Sequence, residues 1–307
     1  MRVHILHEND EWTAPLLEAL RTSGVPASDW HLASGQLDLS TLPPDGVFYS
    51  RMSASAHLRG HRYAPEYTQA ILSWLESHGR RIINGRRALE LELSKATQLS
   101  ALAAYGIPTP RSILVHGREA LFAAADRFAG RRFILKPNRG GRGDGVRLFE
   151  DLFSLKRHVT SCDFKPPVDG SLLLQEYIQP ATPHITRLEF VGGALLYAVR
   201  VNTSEGFQLC PGDTQPHGPL ARNAYEIIPD FSHPLVASYQ RFMELNGLDI
   251  CSFEFIESKS GLALTYDINV NTTYNHIAEL RAGIFGMQRV ASFLHMELRG
   301  VRRRAAA

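Results

Sequence analysis

The chemistry-bearing residues fall into a few short runs. Lys136-Pro137-Asn138-Arg139-Gly140-Gly141-Arg142-Gly143-Asp144-Gly145-Val146 places four glycines within six residues, among Lys136, Arg139 and Arg142. Glycine reaches φ > 0 at no steric cost and lets backbone N–H groups approach a ligand. A cationic, N–H-rich loop between strands suits a polyphosphate; an ordinary hairpin turn with solvated arginines, and a solvated Lys136, is the plainer alternative. No Gly-Lys-Ser/Thr closes the loop and no Gly-x-Gly-x-x-Gly opens a helix after the first strand, so it is neither a Walker loop nor a Rossmann fingerprint.

A second run is acidic. Glu254 sits on one strand of a hairpin and Asp267-Ile268-Asn269-Val270-Asn271 on the other. Alternate strand residues share a face, so Asp267, Asn269 and Asn271 align and Glu254 can lie opposite them. The set offers hard oxygen ligands, which suit Mg²⁺ or Mn²⁺ shared with substrate phosphates. A polar edge hairpin is the alternative, but Asp and Asn are disfavoured in strands and three on one face need a reason. No His/Cys pair has zinc-like spacing. The strand Leu172 to Ile178 ends in Gln175-Glu176-Tyr177-Ile178. Its backbone edge suits a flat purine, or it is a plain core strand. Lys95 alone reads as a solvated helix lysine. Arg187, Glu189 and Arg200 ride on a further hairpin, and Cys210 and Asp213 on a polar loop over 209–215.

The elements that must position these residues follow from periodicity. Strands are expected at Arg2 to Leu6, Val47 to Tyr49 and Arg81 to Asn84, with helices at Thr13 to Leu20 and Ala70 to Leu75. That βαβαβ alternation implies a small doubly wound lobe. One long helix is expected from Ala88 to Tyr105, stopped by Gly106-Ile107-Pro108. A second lobe holds strands at 111–115, 132–135, 146–149 and 172–178, and helices at 118–128 and 152–158. Then come the hairpin Arg187 to Val191 with Ala194 to Val201, a helix from Pro234 to Leu245, the hairpin Ile250 to Ile256 with Ala263 to Asn269, and a closing helix from Glu279 to Met296.

The chain has 307 residues, 44% hydrophobic and 21% charged. This describes a globular protein with room for two or three lobes. A net charge of +2 argues against a nucleic-acid binder. Cys162, Cys210 and Cys251 are far apart and odd in number, which suggests a reducing compartment, the cytoplasm; Cys210 and Cys251 read as buried structural cysteines. The chain opens directly on strand-like Val3 to Leu6, so no signal peptide is expected. No apolar run approaches a membrane span.

Taken in order, the motifs resemble the ATP-grasp superfamily. Lys95 precedes Tyr105-Gly106-Ile107-Pro108-Thr109-Pro110. Leu135-Lys136-Pro137 and the glycine loop follow, then Gln175-Glu176-Tyr177-Ile178, then the acidic hairpin. Arg51-Met52-Ser53-Ala54-Ser55 and Ile83-Asn84-Gly85 also match, and the order is most similar to RimK-like alpha-L-glutamate ligases. The resemblance runs from the first strand to about Asn271. It implies an ATP-grasp fold of the α/β class: a pre-ATP-grasp lobe over 1–87, a helical linker and lid lobe over 88–180, and a metal-bearing lobe over 181–307, with ATP sandwiched between the last two.

It also implies roles. Lys95, Lys136 and the loop residues Gly141, Arg142 and Gly143 contact ATP phosphates. Gln175, Glu176, Tyr177 and Ile178 bind adenine. Glu254, Asp267 and Asn269 hold Mg²⁺ or Mn²⁺, and Arg187 or Arg200 stabilises the transferring phosphate. Arg51, Ser53 and Asn271 point to the substrate. The family usually has an Asp two residues before Arg187; Ile185 stands there, and His184 is the substitute for ribose recognition. The metal acids come as Glu then Asp, where the family more often has Asp then Glu. The activity implied is an ADP-forming carboxylate–amine ligase acting on small amino-acid or peptide carboxylates and amines through an acyl phosphate. A kinase on the same scaffold and a non-catalytic nucleotide-binding regulator are the alternatives, and the sequence leaves a homo-oligomer open.

Overall fold

The computed structural model describes residues 1–203 and 225–306; Cys210 and Asp213 lie outside the described residues. The first sheet is parallel, with strands β1 (Arg2–His7), β2 (Ala27–His31), β3 (Gly46–Ser50) and β4 (Arg81–Ile83) in the order β2-β1-β3-β4. Val3, Ile5, Val47 and Tyr49 face α1 (Asp10–Thr22), which starts where Asn9 accepts from Trp12 N at 3.1 Å. The other face packs on α2 (Ala64–Ser77) through Phe48, Ile71, Leu72 and Leu75. Strand β2 has no counterpart in the periodicity reading. Its residues, Ala-Ser-Asp-Trp-His, sit on the sheet edge without an apolar alternation.

The expected long helix at 88–105 is two helices, α3 (Arg86–Leu93) and α4 (Lys95–Ala104). Ser94 is extended at φ −141° and ψ 107°, and its hydroxyl accepts from Thr97 N at 3.2 Å. A serine that satisfies an orphan first-turn N–H starts a new helix. Lys95 therefore sits at the first helical position of α4, not mid-helix.

The lid sheet is antiparallel: β5 (Ser112–His116), β6 (Phe133–Pro137), β7 (Arg147–Phe149) and β8 (Ser171–Glu176) in the order β5-β8-β6-β7. Phe133, Leu135 and Leu174 pack on α5 (Arg118–Ala125) and α6 (Leu152–Val159). The alternate residues Ile134, Lys136 and Gln175 turn to the other face, as a period of two requires.

The third sheet contains β9 (His184–Val191), β10 (Ala194–Asn202), β11 (Tyr225–Ile228), β12 (Ile250–Glu257) and β13 (Ala263–Asn269), in the order β11-β10-β9-β12-β13. Its Leu188, Phe190 and Phe253 pack on α7 (Leu235–Asn246) and on Leu102 of α4. The expected closing helix is also two, α8 (His276–Ala282) and α9 (Gly286–Ala306). Gly283 at φ 69° ends the first with a left-handed cap. Helix α9 then returns to the first sheet, where Val290, Leu294 and Leu298 join Val3 and Ile5. Asn84, buried at φ 54°, ties the first sheet to the third. Its amide donates to Ile250 O and Val270 O at 2.6 and 3.0 Å, and its Oδ1 accepts from Asp249 N and Ile250 N.

Candidate active site

The lid sheet and the third sheet enclose a cavity of about 420 Å³ with two unlike ends. One is lined by Pro110, Ile134, Leu148, Tyr177 and Ile178. Here the chain leaving β8 is fixed by Glu176 N donating to Arg111 O at 2.9 Å and Tyr177 N to Arg132 O at 3.2 Å. The Arg132 guanidinium lies 4.3 Å over the Tyr177 ring.

The other end is charged. Lys95 forms an ion pair with Asp267 Oδ1. Burial pulls the Lys95 ammonium down, but Asp267, Glu254 and Glu92 outweigh it and hold it above the ordinary lysine value. Lys136 is only 5% exposed, and its Nζ donates to Tyr266 O at 3.4 Å. Burial, and then repulsion from Lys95, bring its pKa down to about 7. The expected solvated lysine is therefore a buried one whose charge is costly.

Register sets the acids. Glu254 stands opposite Asp267 on β13 and opposite Arg187 on β9, and Ser252 opposite Asn269. Glu254 accepts from Tyr266 OH at 2.9 Å, Asn269 Nδ2 at 3.2 Å and Arg187 Nη1 at 3.3 Å. Arg187 Nε also donates to buried Glu189 at 2.5 Å. Burial raises the Glu254 carboxyl against the pull of Arg187. It raises Glu189 to about 7, again opposed by Arg187. The donor set fits a hard cation: two carboxylates and an amide oxygen left free when Asn269 donates through Nδ2. The buried Asn271 Oδ1, without a hydrogen-bond partner, lies on the same cavity wall.

No protein-family model matches the sequence, and no curated protein matches it. Solved structures do. D-cycloserine synthetase DcsG superposes at a TM-score of 0.68 with 21% identity, over 96% of this chain and 99% of that one. A RimK domain ATP-grasp protein from Sphaerobacter thermophilus DSM 20745 gives 0.65 and 20%, over 95% and 99%. The ATP-grasp ligase PsnB, solved with a phosphomimetic variant of its minimal precursor, Mg and ADP, gives 0.65 and 17%, over 96% and 98%. The chain has the ATP-grasp fold.

Within that fold, most of the expected site residues share the cavity: Lys95, Lys136, Gly141, Arg142, Gly143, Gln175, Glu176, Tyr177, Ile178, Arg187, Glu254, Asp267, Asn269, Ser53 and Asn271 all line it. Three others are placed elsewhere. Arg200 pairs in register with Thr186 and Glu226, so it faces the side of the sheet opposite Arg187, and it bonds exposed Glu226 at 3.1 Å. The arginine role narrows to Arg187. His184 shares that outer face, with its Nε2 3.2 Å from Thr182 Oγ1, and its neighbour Ile185 lines the cavity instead. Arg51 is 2% exposed and is spent on structure: its Nη2 donates to Trp12 O and Thr272 O, both at 3.2 Å.

Sequence reasoning missed Glu92, Tyr266, Trp12 and Asp144 on the same walls. Glu92 accepts from Ala54 N and Val270 N at 3.2 and 3.0 Å, joining three segments, and burial raises its carboxyl. In sequence it looks like the wet face of a helix; the bonds to Ala54 N and Val270 N, from segments far away in the chain, show it facing inward. Tyr266 falls at the irregularity between Glu254 and Phe255, which re-aims it at Glu254. Outside this site, His7, Asp10 and His31 bring one ligand atom each to within 4.8 Å of one another. Spacing could not show that group, because its histidines meet across β1 and β2 in register.

Proposed function

We propose that the chain is an ATP-dependent carboxylate–amine ligase that makes an amide or peptide bond through an acyl phosphate and releases ADP and phosphate. The observation that carries this reading is the meeting of Lys95, Lys136 and Arg187, from three segments, with Glu254 and Asp267 at one end of a cavity whose other end is apolar. The adenine lies against Ile134, Leu148 and the backbone at Glu176 to Ile178. Lys95 and Lys136 hold the phosphates with the glycine loop. Glu254, Asp267 and Asn269 would hold Mg²⁺, which would supply positive charge that lowers the repulsion between two anions.

The residues of the chain supply positioning and charge. Arg187, held between Glu189 and Glu254, stays aimed at the site while the γ-phosphoryl group passes to the substrate carboxylate. An amine then attacks the acyl carbon, phosphate departs with the bonding electrons, and the new amide nitrogen loses a proton. Trp12, Ser53 and Asn271, which line the same cavity, border the acceptor. DcsG, named for D-cycloserine synthesis, and PsnB, solved with peptide precursors, support amino-acid or peptide substrates. The free thiols Cys162 and Cys251 agree with a reducing compartment such as the cytoplasm, and among the described residues no helix is long and apolar enough to cross a membrane.

The test is ADP and phosphate release against mixed amino acids and short peptides, with nucleotide binding measured separately. Equal release of both products supports the ligase. ADP with no phosphate turns the assignment to a kinase, and binding without turnover to a regulator. Mg²⁺ should bind by calorimetry only with ADP or ATP present, since Lys95 and Arg187 already neutralise the carboxylates. Tight Mg²⁺ binding to the free protein, unchanged in Asp267→Ala, would sink the metal assignment.

A further inference from the structure

The start of α4 is capped from another lobe. Three of its first-turn N–H groups have no acceptor within the helix, as at any helix start. Ser94 Oγ takes Thr97 N. The other two go to one residue of the lid: Lys95 N donates to Asn138 O at 3.0 Å and Ala96 N to Asn138 Oδ1 at 2.9 Å. Ser94 Oγ also donates to that Oδ1 at 3.2 Å. On its lid side, Asn138 Nδ2 donates to Asp169 at 2.7 Å and its N–H to Ser171 O at 3.1 Å. The side chain is 8% exposed. Asn138 follows Lys136 by two residues, and it holds the backbone of Lys95.

We propose that Asn138 is the positioning residue that fixes the spacing of the two phosphate-binding lysines, by locking the lid strand that carries Lys136 onto the helix start that carries Lys95. This rests on the ATP reading of the cavity. The lysines approach from separate elements, and nothing in either element alone sets their separation. An amide that accepts from one element and donates to the other does, and neither Ala, which lacks both functions, nor Asp, which would meet Asp169 as a like charge, can replace it.

The test compares nucleotides of different phosphate length. Adenosine monophosphate reads the apolar end, whereas ATP also reads the lysine pair. Asn138→Ala keeps the main-chain bond from Lys95 N and deletes three side-chain bonds, so ATP affinity should fall about 100-fold, the scale of three hydrogen bonds, with AMP affinity unchanged. Asp169→Ala, at an exposed position, removes the lid-side bond from Asn138 Nδ2 together with the local bond that Asp169 Oδ1 accepts from Ser171 N, and should cost ATP about fivefold, the worth of the one bond that reaches Asn138. It keeps the test decisive if Asn138→Ala does not fold. Asp151→Ala removes an ordinary cap, that of α6, outside this network: it should lower the melting temperature and leave the ATP-to-AMP ratio as in wild type. The proposal is overturned if Asn138→Ala and Asp169→Ala keep the wild-type ratio, or if Asp151→Ala shifts it as far as they do. A wild-type protein that binds neither nucleotide overturns the ATP reading itself.

Discussion

The two ends of the cavity are built on opposite principles. At the hinge end, Ile134, Leu148, Tyr177 and Ile178 offer apolar surface and a backbone already fixed by Arg111 and Arg132. A ligand there displaces water and disturbs no internal bond. At the charged end, Lys95 is paired with Asp267, and Arg187 with Glu189 and Glu254. Buried charges are tolerated only when paired, so a polyphosphate must exchange one set of partners for another. Lys136 is the exception, with a backbone oxygen as its hydrogen-bond acceptor and a pKa of about 7. On the proposed ATP reading, the difference teaches where affinity and where turnover should reside: grip on the base at the apolar end, sensitivity to charge and geometry at the lysines.

Removing Lys136 is the strongest way to break that division. Lys136→Ala deletes the cation that the proposed reading aims at the phosphates, and losing one such preorganised group typically costs about 10²–10³ in rate. Turnover with ATP should fall by that factor while adenosine binding holds. Because the ammonium is buried at a cost, the variant should melt no lower than wild type. Near-wild-type turnover in ADP formation would remove the lysine from the mechanism.

The next effect is in pH. Below about pH 7 Lys136 is already charged in the free protein, and phosphate binding needs no proton. Above it, binding must draw a proton from solvent, so ATP affinity should weaken by up to about tenfold per pH unit until the bound-state pKa is reached. AMP should respond less. The free protein behaves in the opposite sense. Since the folded pKa is about 7 against an ordinary 10.5, the cost of the buried charge is fully present below about pH 7. It fades as pH rises toward 10.5, and stability from this group rises across that window. Calorimetry in buffers of different ionisation enthalpy reads the proton directly. Proton uptake of zero at pH 8 would show that Lys136 keeps its charge in the empty site.

How much of this could be read from sequence follows the same division. The glycine loop and the acidic hairpin are legible because their residue types are unusual for their elements: Asp267, Asn269 and Asn271 in a strand, four glycines beside Lys136; Lys95 comes only with the resemblance. Strand alternation correctly put Asp267, Asn269 and Glu254 on one face. What escaped was whatever depends on a break or on long-range packing. Ser94 looks like any helix serine until its dihedrals are known, and with it goes the place of Lys95 at the start of α4; Glu92 escapes because its partners, Ala54 N and Val270 N, come from far away in the chain. Arg187 and Arg200 are equally plausible in one dimension, and only the register of β9 against β10 and β12 separates them. Arg51 carries a motif-like context, yet it is consumed by Trp12 O and Thr272 O, from segments far away in the chain.

The smallest expected effect sharpens the comparison from the hinge side. Ile134 lies on β6 two residues before Lys136 and turns to the same face, so both are presented by one strand. Ile134→Ala removes apolar surface from the base pocket and no charge. Losing that contact should cost on the order of 1–2 kcal/mol of ligand burial, or about fivefold to thirtyfold in affinity. The loss should be the same for adenosine, AMP and ATP, because the deleted atoms face the part they share. Uniform binding of this kind changes KM and leaves kcat alone. A loss that grew with the number of phosphates would mean that the substitution had moved Lys136 along with the strand. The two ends would then be one mechanical unit rather than two independent grips.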